Sequence, residues 1–125
     1  MDIREFNKID YYLICEWWTA HKWNAPSYLM LPKTGFIIEG LCAGFLYKTD
    51  SEIAWLEFVI SNPKSDKELR NEALNILIEK LINEAKQSGF KVIFTSVEHT
   101  KLIDRYKNHG FVETDKSMTN MIKRL

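Results

Sequence analysis

Thr100-Lys101-Leu102-Ile103-Asp104-Arg105-Tyr106-Lys107-Asn108-His109-Gly110-Phe111 decides how this chain is read. Leu102, Ile103 and Tyr106 recur at helical spacing, Gly110 is a helix stop, and Phe111 opens an apolar segment beyond it. Just upstream, Lys91 to Val97 is rich in β-branched and aromatic residues and is expected to be a strand. Downstream, Phe111 to Thr114 and Met118 to Lys123 are strand-like and would close as a hairpin around Asp115 to Ser117. Farther upstream, Ser65 and Glu68 read as a capping box that opens a helix running to Ser88, with Gly89 as its stop. Its apolar stripe is Leu69, Ala73, Ile76, Leu77, Leu81 and Ala85, broadened by Leu74, Ile78 and Ile82.

Before Pro63 the pattern changes to a meander: Phe36 to Glu39, a turn at Gly40, Leu41 to Lys48, a turn at Thr49 to Ser51, then Glu52 to Ile60. Strands this close in sequence are expected to pair antiparallel. Alternation puts Ala54, Leu56, Phe58 and Ile60 on one face of the last strand, and Ile53, Trp55, Glu57 and Val59 on the other, with Glu57 the only charge inside the run. At the N-terminus a strand is expected over Asp2 to Asn7, then a helix capped by Asp10 and ending near His21. Tyr11, Ile14, Cys15 and Trp18 form one stripe of that helix, and Leu13, Trp17 and His21 a second. Either both pack into an aromatic core or one lines a groove. Trp23 to Gly35, punctuated by Pro26 and Pro32, reads as a loop suited to cover a site. The expected order is β-α-β-β-β-α-β-α-β-β, an α/β (α+β) fold whose mixed, mostly antiparallel sheet of about six to seven strands is flanked by helices.

With 125 residues, 46% of them hydrophobic and 13% aromatic, the chain suits one globular domain over residues 1–125 that needs no disulfide or structural metal. Its 17 basic and 17 acidic residues cancel, which argues against a nucleic-acid binder, since that role calls for a basic surplus. The halves differ: residues 1–62 carry five basic and eight acidic side chains, residues 63–125 twelve and nine. That asymmetry fits either solvated helix faces or a small anionic ligand on the C-terminal half. Met1 to Ile9 holds Asp2 and Glu5 and no apolar stretch for a signal peptide, and no run approaches the roughly 18 apolar residues of a membrane span. The expected setting is cytoplasmic, with no membrane partner. Cys15 and Cys42 are isolated thiols in apolar surroundings, expected to be buried and inert. His21, His99 and His109 show no metal-ligand spacing, so no metal is expected.

The element order, together with Tyr106-Lys107-Asn108-His109-Gly110-Phe111, resembles the GNAT superfamily of acyl-CoA-dependent N-acyltransferases, whose last helix ends in Y-x-x-x-G-F. In that family the long helix opens at a Q/R-x-x-G-x-G/A loop, about three residues after a proline, whose backbone N–H groups hold the CoA pyrophosphate. The nearest match is Arg70-Asn71-Glu72-Ala73-Leu74-Asn75, with Ala73 and Asn75 at the glycine positions and Pro63 seven residues ahead of Arg70. Two starts stay open: a helix from Ser65 that encloses Arg70 to Asn75, or Asn71 as N-cap after an open loop. His99 stands where the family often has an Asn beside the cofactor. His109, just before Gly110, is suited to the last carbonyls of its helix.

The resemblance implies acetyl-CoA as cosubstrate and a primary amine as acceptor. Tyr106 would protonate the departing sulfur, and Glu57, its pKa raised by burial, would take the amine proton. A half-solvated face at Glu57 is the structural alternative. Backbone N–H groups of Phe58, Val59 and Ile60 would polarise the thioester carbonyl and hold the pantetheine arm. Trp17, Trp18, Trp23 and Tyr28 would shape the acceptor pocket. The chain is short for the family, so the pocket is either shallow enough for a protein amine or completed by another subunit. The rival reading is a GNAT-like protein without CoA chemistry, a protein-binding or inhibitor module presenting its aromatic N-terminal half.

Overall fold

The computed structural model describes all of residues 1–125. Five strands, β1 (Arg4–Glu5), β2 (Thr34–Ile38), β3 (Cys42–Lys48), β4 (Ile53–Ser61) and β5 (Val92–Phe94), form one sheet in that order. Neighbours from β1 to β4 pair antiparallel. The β4–β5 pair is parallel, because the chain crosses over through helix α2 (Lys67–Gln87). Helix α1 (Asp10–Ala20) and a 3-10 turn at Tyr28–Met30 link β1 to β2, and α3 (Thr100–Asn108) follows β5. No helix is long and apolar enough to cross a membrane.

The sheet divides two apolar layers. On one side Phe36, Ile38, Cys42 and Leu46 meet Leu77, Ile78 and Leu81 of α2 and Tyr106 of α3. On the other, Ile37, Ala43 and Phe45 meet Ile14, Trp17 and Trp18 of α1. Each fully buried aliphatic side chain contributes about 1.5–3 kcal/mol, so these layers dominate the stability. β2 and β3 alternate between them residue by residue.

β4 does not. Ala54 and Leu56 belong to the α2 layer, but Ile60 and Phe58 join the α1 layer and Val59 packs on the α2 side. The register explains the change: Phe45 pairs with Glu57 and Ala43 with Ile60, so Phe58 and Val59 together face Gly44. This is a β-bulge, and Phe58 adopts a φ of +56° within it. The expected single face for Ala54, Leu56, Phe58 and Ile60 is corrected accordingly. A side chain at Gly44 would crowd its neighbours, since a Cβ there would lie 3.1 Å from both Val59 and Leu81.

Further expectations are corrected at the helix ends and the C-terminus. The expected order gains a 3-10 turn and loses its last two strands, leaving five strands in place of six to seven. Phe111 N–H is taken by Tyr106 O at 3.0 Å and its ring packs on Tyr106, 5.1 Å between centroids. Beyond it Val112, Met118, Met121 and Ile122 stand exposed, with no layer to bury them. The N-cap of α2 is Asp66, not Ser65: its Oδ2 accepts from Leu69 N at 3.0 Å. The Trp23 to Gly35 loop is tied down, as Tyr11 donates to Pro26 O at 2.7 Å and Tyr47 to Met30 O at 2.6 Å. Cys42 is fully buried, and its thiol is pushed up to about 12 by burial, whereas Cys15 is half-exposed.

Asp10 does not cap α1 as expected. It is the first helical residue, buried, and its Oδ2 accepts from Asn7 N at 2.9 Å while Arg4 grips both oxygens at 2.9 and 2.7 Å. Arg4 also reaches Glu39 at 2.8 Å, so one guanidinium ties β1 to α1 and to the end of β2. The Arg4 hydrogen bond, the largest cause, holds the Asp10 carboxyl below its ordinary 3.8. A lowered folded-state value means this contribution is fully present above pH 3.8 and fades as pH falls through the lower value. Asp10→Asn is expected to cost on the order of 1 kcal/mol at pH 7 and to lose less stability than the wild type on acidification below pH 4, read from urea midpoints across that range.

α3 is fastened to α2 by a polar ladder at four-residue spacing. Arg105 donates to Asn71 O at 3.1 Å, Asn71 Oδ1 at 2.9 Å and Asn75 Oδ1 at 2.9 Å. His109 lies between Asn75 Oδ1 at 3.1 Å and Glu79 Oε1 at 2.6 Å, a contact with α2 that replaces the expected one with its own helix end. Arg105→Ala removes three hydrogen bonds between α3 and α2, and is expected to destabilise the fold by about 1 kcal/mol in a urea melt.

Candidate active site

Parallel pairing of β4 with β5 stops at Trp55 and Phe94. Past that point the bulge turns β4 and the chain after β5 departs, so the sheet opens as a V. Within it lies a cavity of about 750 Å³, walled by Glu57, Phe58 and Val59 of β4, by residues 95–102 and by Tyr106. Trp18 and Trp23 line its α1 side. Because Trp18 belongs to one layer and Tyr106 to the other, the cavity runs between the two faces of the sheet. It lies at the carboxyl ends of two diverging parallel strands, the place where open α/β sheets bind ligands.

Two hydrogen bonds hold the mouth of the V. Thr95 Oγ1 donates to Leu56 O at 2.6 Å, and Ser96 N donates to Glu57 Oε1 at 2.8 Å. The same carboxylate oxygen accepts from Trp55 Nε1 at 3.0 Å, so Glu57, half-buried, is held in one orientation on the cavity wall. Tyr106 is only 3% exposed. Burial pushes its phenol well above the ordinary 10.0, the charge of Glu57 acts in the same direction, and the neighbouring Thr95 hydroxyl opposes both. The phenol is therefore protonated, a donor, at every pH near neutrality.

The expected residues divide into two groups. Tyr106, Glu57, Phe58, Val59, His99, Trp18 and Trp23 all meet at this cavity. Trp23 forms its rim, nearly half exposed, stacked on His21 at 4.5 Å and edge-on to His99 at 6.3 Å. Trp17 is a core residue, and Tyr28 packs 5.5 Å from Tyr11 with Lys8 over its ring, away from the cavity. Ile60 is buried under α1 and does not line it.

Arg70, Asn71, Glu72, Ala73, Leu74 and Asn75 are not brought to the site. They lie inside α2, past its first turn, where N–H groups are engaged within the helix, as Arg70 N to Asp66 O at 2.9 Å. Ala73 and Leu74 are core, Asn71 and Asn75 are held by Arg105, and the Arg70 guanidinium donates to Ser65 O at 2.9 Å and to Asn62 O and Pro63 O at 3.3 Å. The helix opens instead at Asp66, three residues after Pro63, with Glu68 also in its first turn. Thr95 and Ser96 also line the cavity, although the sequence pattern makes them the continuation of β5. A Thr-Ser pair at the carboxyl end of a strand was the available signal. No cluster of His, Cys, Asp or Glu is arranged to hold a metal ion.

No protein-family model matches the sequence, and no curated protein matches it. Solved structures do. Rv2747 from Mycobacterium tuberculosis, in complex with CoA, superposes with a TM-score of 0.76 at 13% identity, over 96% of this chain and 76% of that one. The ribosomal-protein-S18-alanine N-acetyltransferase from Escherichia coli gives 0.72 at 16% identity, over 91% and 79%. The glucosamine-6-phosphate N-acetyltransferase from Arabidopsis thaliana gives 0.68 at 13% identity, over 98% of each chain. With the bulged β4, the V and the helix that ends in Tyr106 to Phe111, these superpositions establish that the chain has the GNAT fold.

Proposed function

We propose that residues 1–125 form one N-acyltransferase domain that moves an acetyl group from a thioester to a primary amine, on a small molecule or a protein. The observation that carries this reading is the joint placement of Tyr106 and Glu57 on the walls of one cavity that opens to both faces of the sheet. Acetyl-CoA is the donor supported by solved neighbours of the same fold that contain CoA. The cavity suits the thioester half of such a donor, since the V exposes β4 at Phe58 and Val59 to a pantetheine arm. The first turn of α2 does not suit the diphosphate half.

The chemistry asks three things of the protein. The amine nitrogen must be neutral when it attacks the thioester carbonyl, and Glu57 receives its proton directly or through water as the C–N bond forms. The carbonyl oxygen gains negative charge, which in this reading the backbone N–H groups of Phe58 and Val59 stabilise. The C–S bond then breaks, and the Tyr106 hydroxyl donates to the sulfur, its proton being restored from the one Glu57 has taken. The raised phenol value makes Tyr106 a hydrogen-bond donor first and a proton donor only as full thiolate charge develops.

The acceptor approaches from the α1 side, where Trp23 leaves the rim open to a protein amine or to a second subunit. Unpaired Cys15 and Cys42 favour a cytoplasmic setting. The inactive-module alternative draws on the capped start of α2, but Trp17 and Trp18, part of the aromatic surface it would present, are buried.

Two substitutions test the roles in an acetyl-transfer assay with a panel of amines. Tyr106→Phe is expected to lower kcat by about tenfold or more with donor KM changed less than about threefold, and an unchanged kcat removes it as the acid. Glu57→Gln keeps an oxygen for Trp55 and Ser96, so the wall is preserved while the base is lost. A fall in kcat of about 10²-fold is expected, and wild-type turnover would assign the base elsewhere.

A further inference from the structure

The start of α2 is built to satisfy itself. Asp66 caps Leu69 N, and the regular helical bonds begin at once with Arg70 N to Asp66 O, so a side chain of this protein already sits over the helix end. Asp66 and Glu68 place two carboxylates at the positive end of the helix dipole, where a bound anion would otherwise lie. Of the three cations here, Arg70 turns its guanidinium back onto the carbonyls of Asn62, Pro63 and Ser65, and the exposed Lys64 and Lys67 are matched in charge by Asp66 and Glu68. No glycine occurs between Gly44 and Gly89, so nothing in this stretch allows the close backbone approach that a diphosphate needs. The cavity ends short of it: none of residues 62–75 contributes to its wall.

We infer that the donor site reads the acyl-pantetheine arm and does not recognise the nucleoside diphosphate, so that the substrate class is a pantetheine thioester whatever its far end carries. This rests on the acyl-transfer reading. Acetyl-CoA, whose nucleotide would trail into solvent, and a pantetheine thioester without a nucleotide share this chemistry.

Calorimetric titration of the intact chain with S-acetylpantetheine, acetyl-CoA and ADP separates the possibilities. The two thioesters are expected to bind within about threefold of each other, with ADP failing to displace acetyl-CoA, because the helix end offers no net attraction to an anion. Acetyl-CoA bound tenfold or more tightly than S-acetylpantetheine, with ADP competing, overturns the inference and leaves acyl transfer standing. Binding of neither thioester overturns both. Asp66→Asn with Glu68→Gln keeps a good N-cap while removing both charges. It is expected to tighten acetyl-CoA by about three- to tenfold and S-acetylpantetheine not at all, whereas an unchanged ratio of the two affinities overturns the role given to these carboxylates.

Discussion

The rest of the structure depends on two residues of β4 having to share one partner, Gly44. An extra residue in one strand reverses which side chains face which layer, and here that reversal falls between Leu56 and Ile60. The left-handed backbone of Phe58 costs about 1–3 kcal/mol for a non-glycine residue, and the surrounding packing offsets it. Phe58 packs against the α1 layer, edge-on to Trp18 at 6.4 Å, and Val59 fills the space over Gly44. A straight β4 would continue beside β5 and bury its edge. The bulged one diverges after three paired residues, and the space between becomes the cavity.

That geometry also decides which titratable groups can act together. Glu57 is the residue just before the bulge, so it still follows the alternation of the straight part of β4, and its carboxylate is caught by donors from Trp55 and Ser96. Tyr106 comes from the opposite direction, on the one buried face of a short helix whose outer face is fastened to α2 by Arg105 and His109. The phenol is desolvated by the α2 layer, and the carboxylate is half open to the cavity. The proposed mechanism divides the acid and base roles between these two differently placed groups.

Much of the fold was legible because it rests on periodicity. The stripe of α2, the Gly110 stop and the antiparallel meander all follow from spacing and turn residues. The bulge was not, since a run such as Ile53 to Ile60 reads as unbroken alternation and only the pairing with Gly44 shows two residues where one should stand. The start of α2 was misplaced for a related reason: Ser65, Asp66 and Asn71 are all good N-caps, and the choice among them is made by tertiary contacts, here Arg70 closing the preceding loop. The C-terminal strands were overcalled from composition. Apolar residues of high β-propensity form a strand only where a neighbour pairs with them, and Val112 to Leu125 has none in this structure. Of the cavity lining, Tyr106 and Glu57 can be named from the resemblance, whereas Thr95 and Ser96 fall within Lys91 to Val97, a run that reads as one unbroken strand.

The four-residue ladder on α2 bears on how α3 is held. Asn71 and Asn75 stand one turn apart, with Glu79 a turn further, and all three are bonded to α3. A helix start that keeps its amides free for a ligand must leave its first turn unsatisfied when empty, which weakens the attachment of whatever packs there. Here the first turn is capped by Asp66 and the second is fastened to Arg105, so α2 is anchored from its beginning and positions α3 without help from a bound anion. Since α3 carries Tyr106, its phenol is held in place by protein contacts alone.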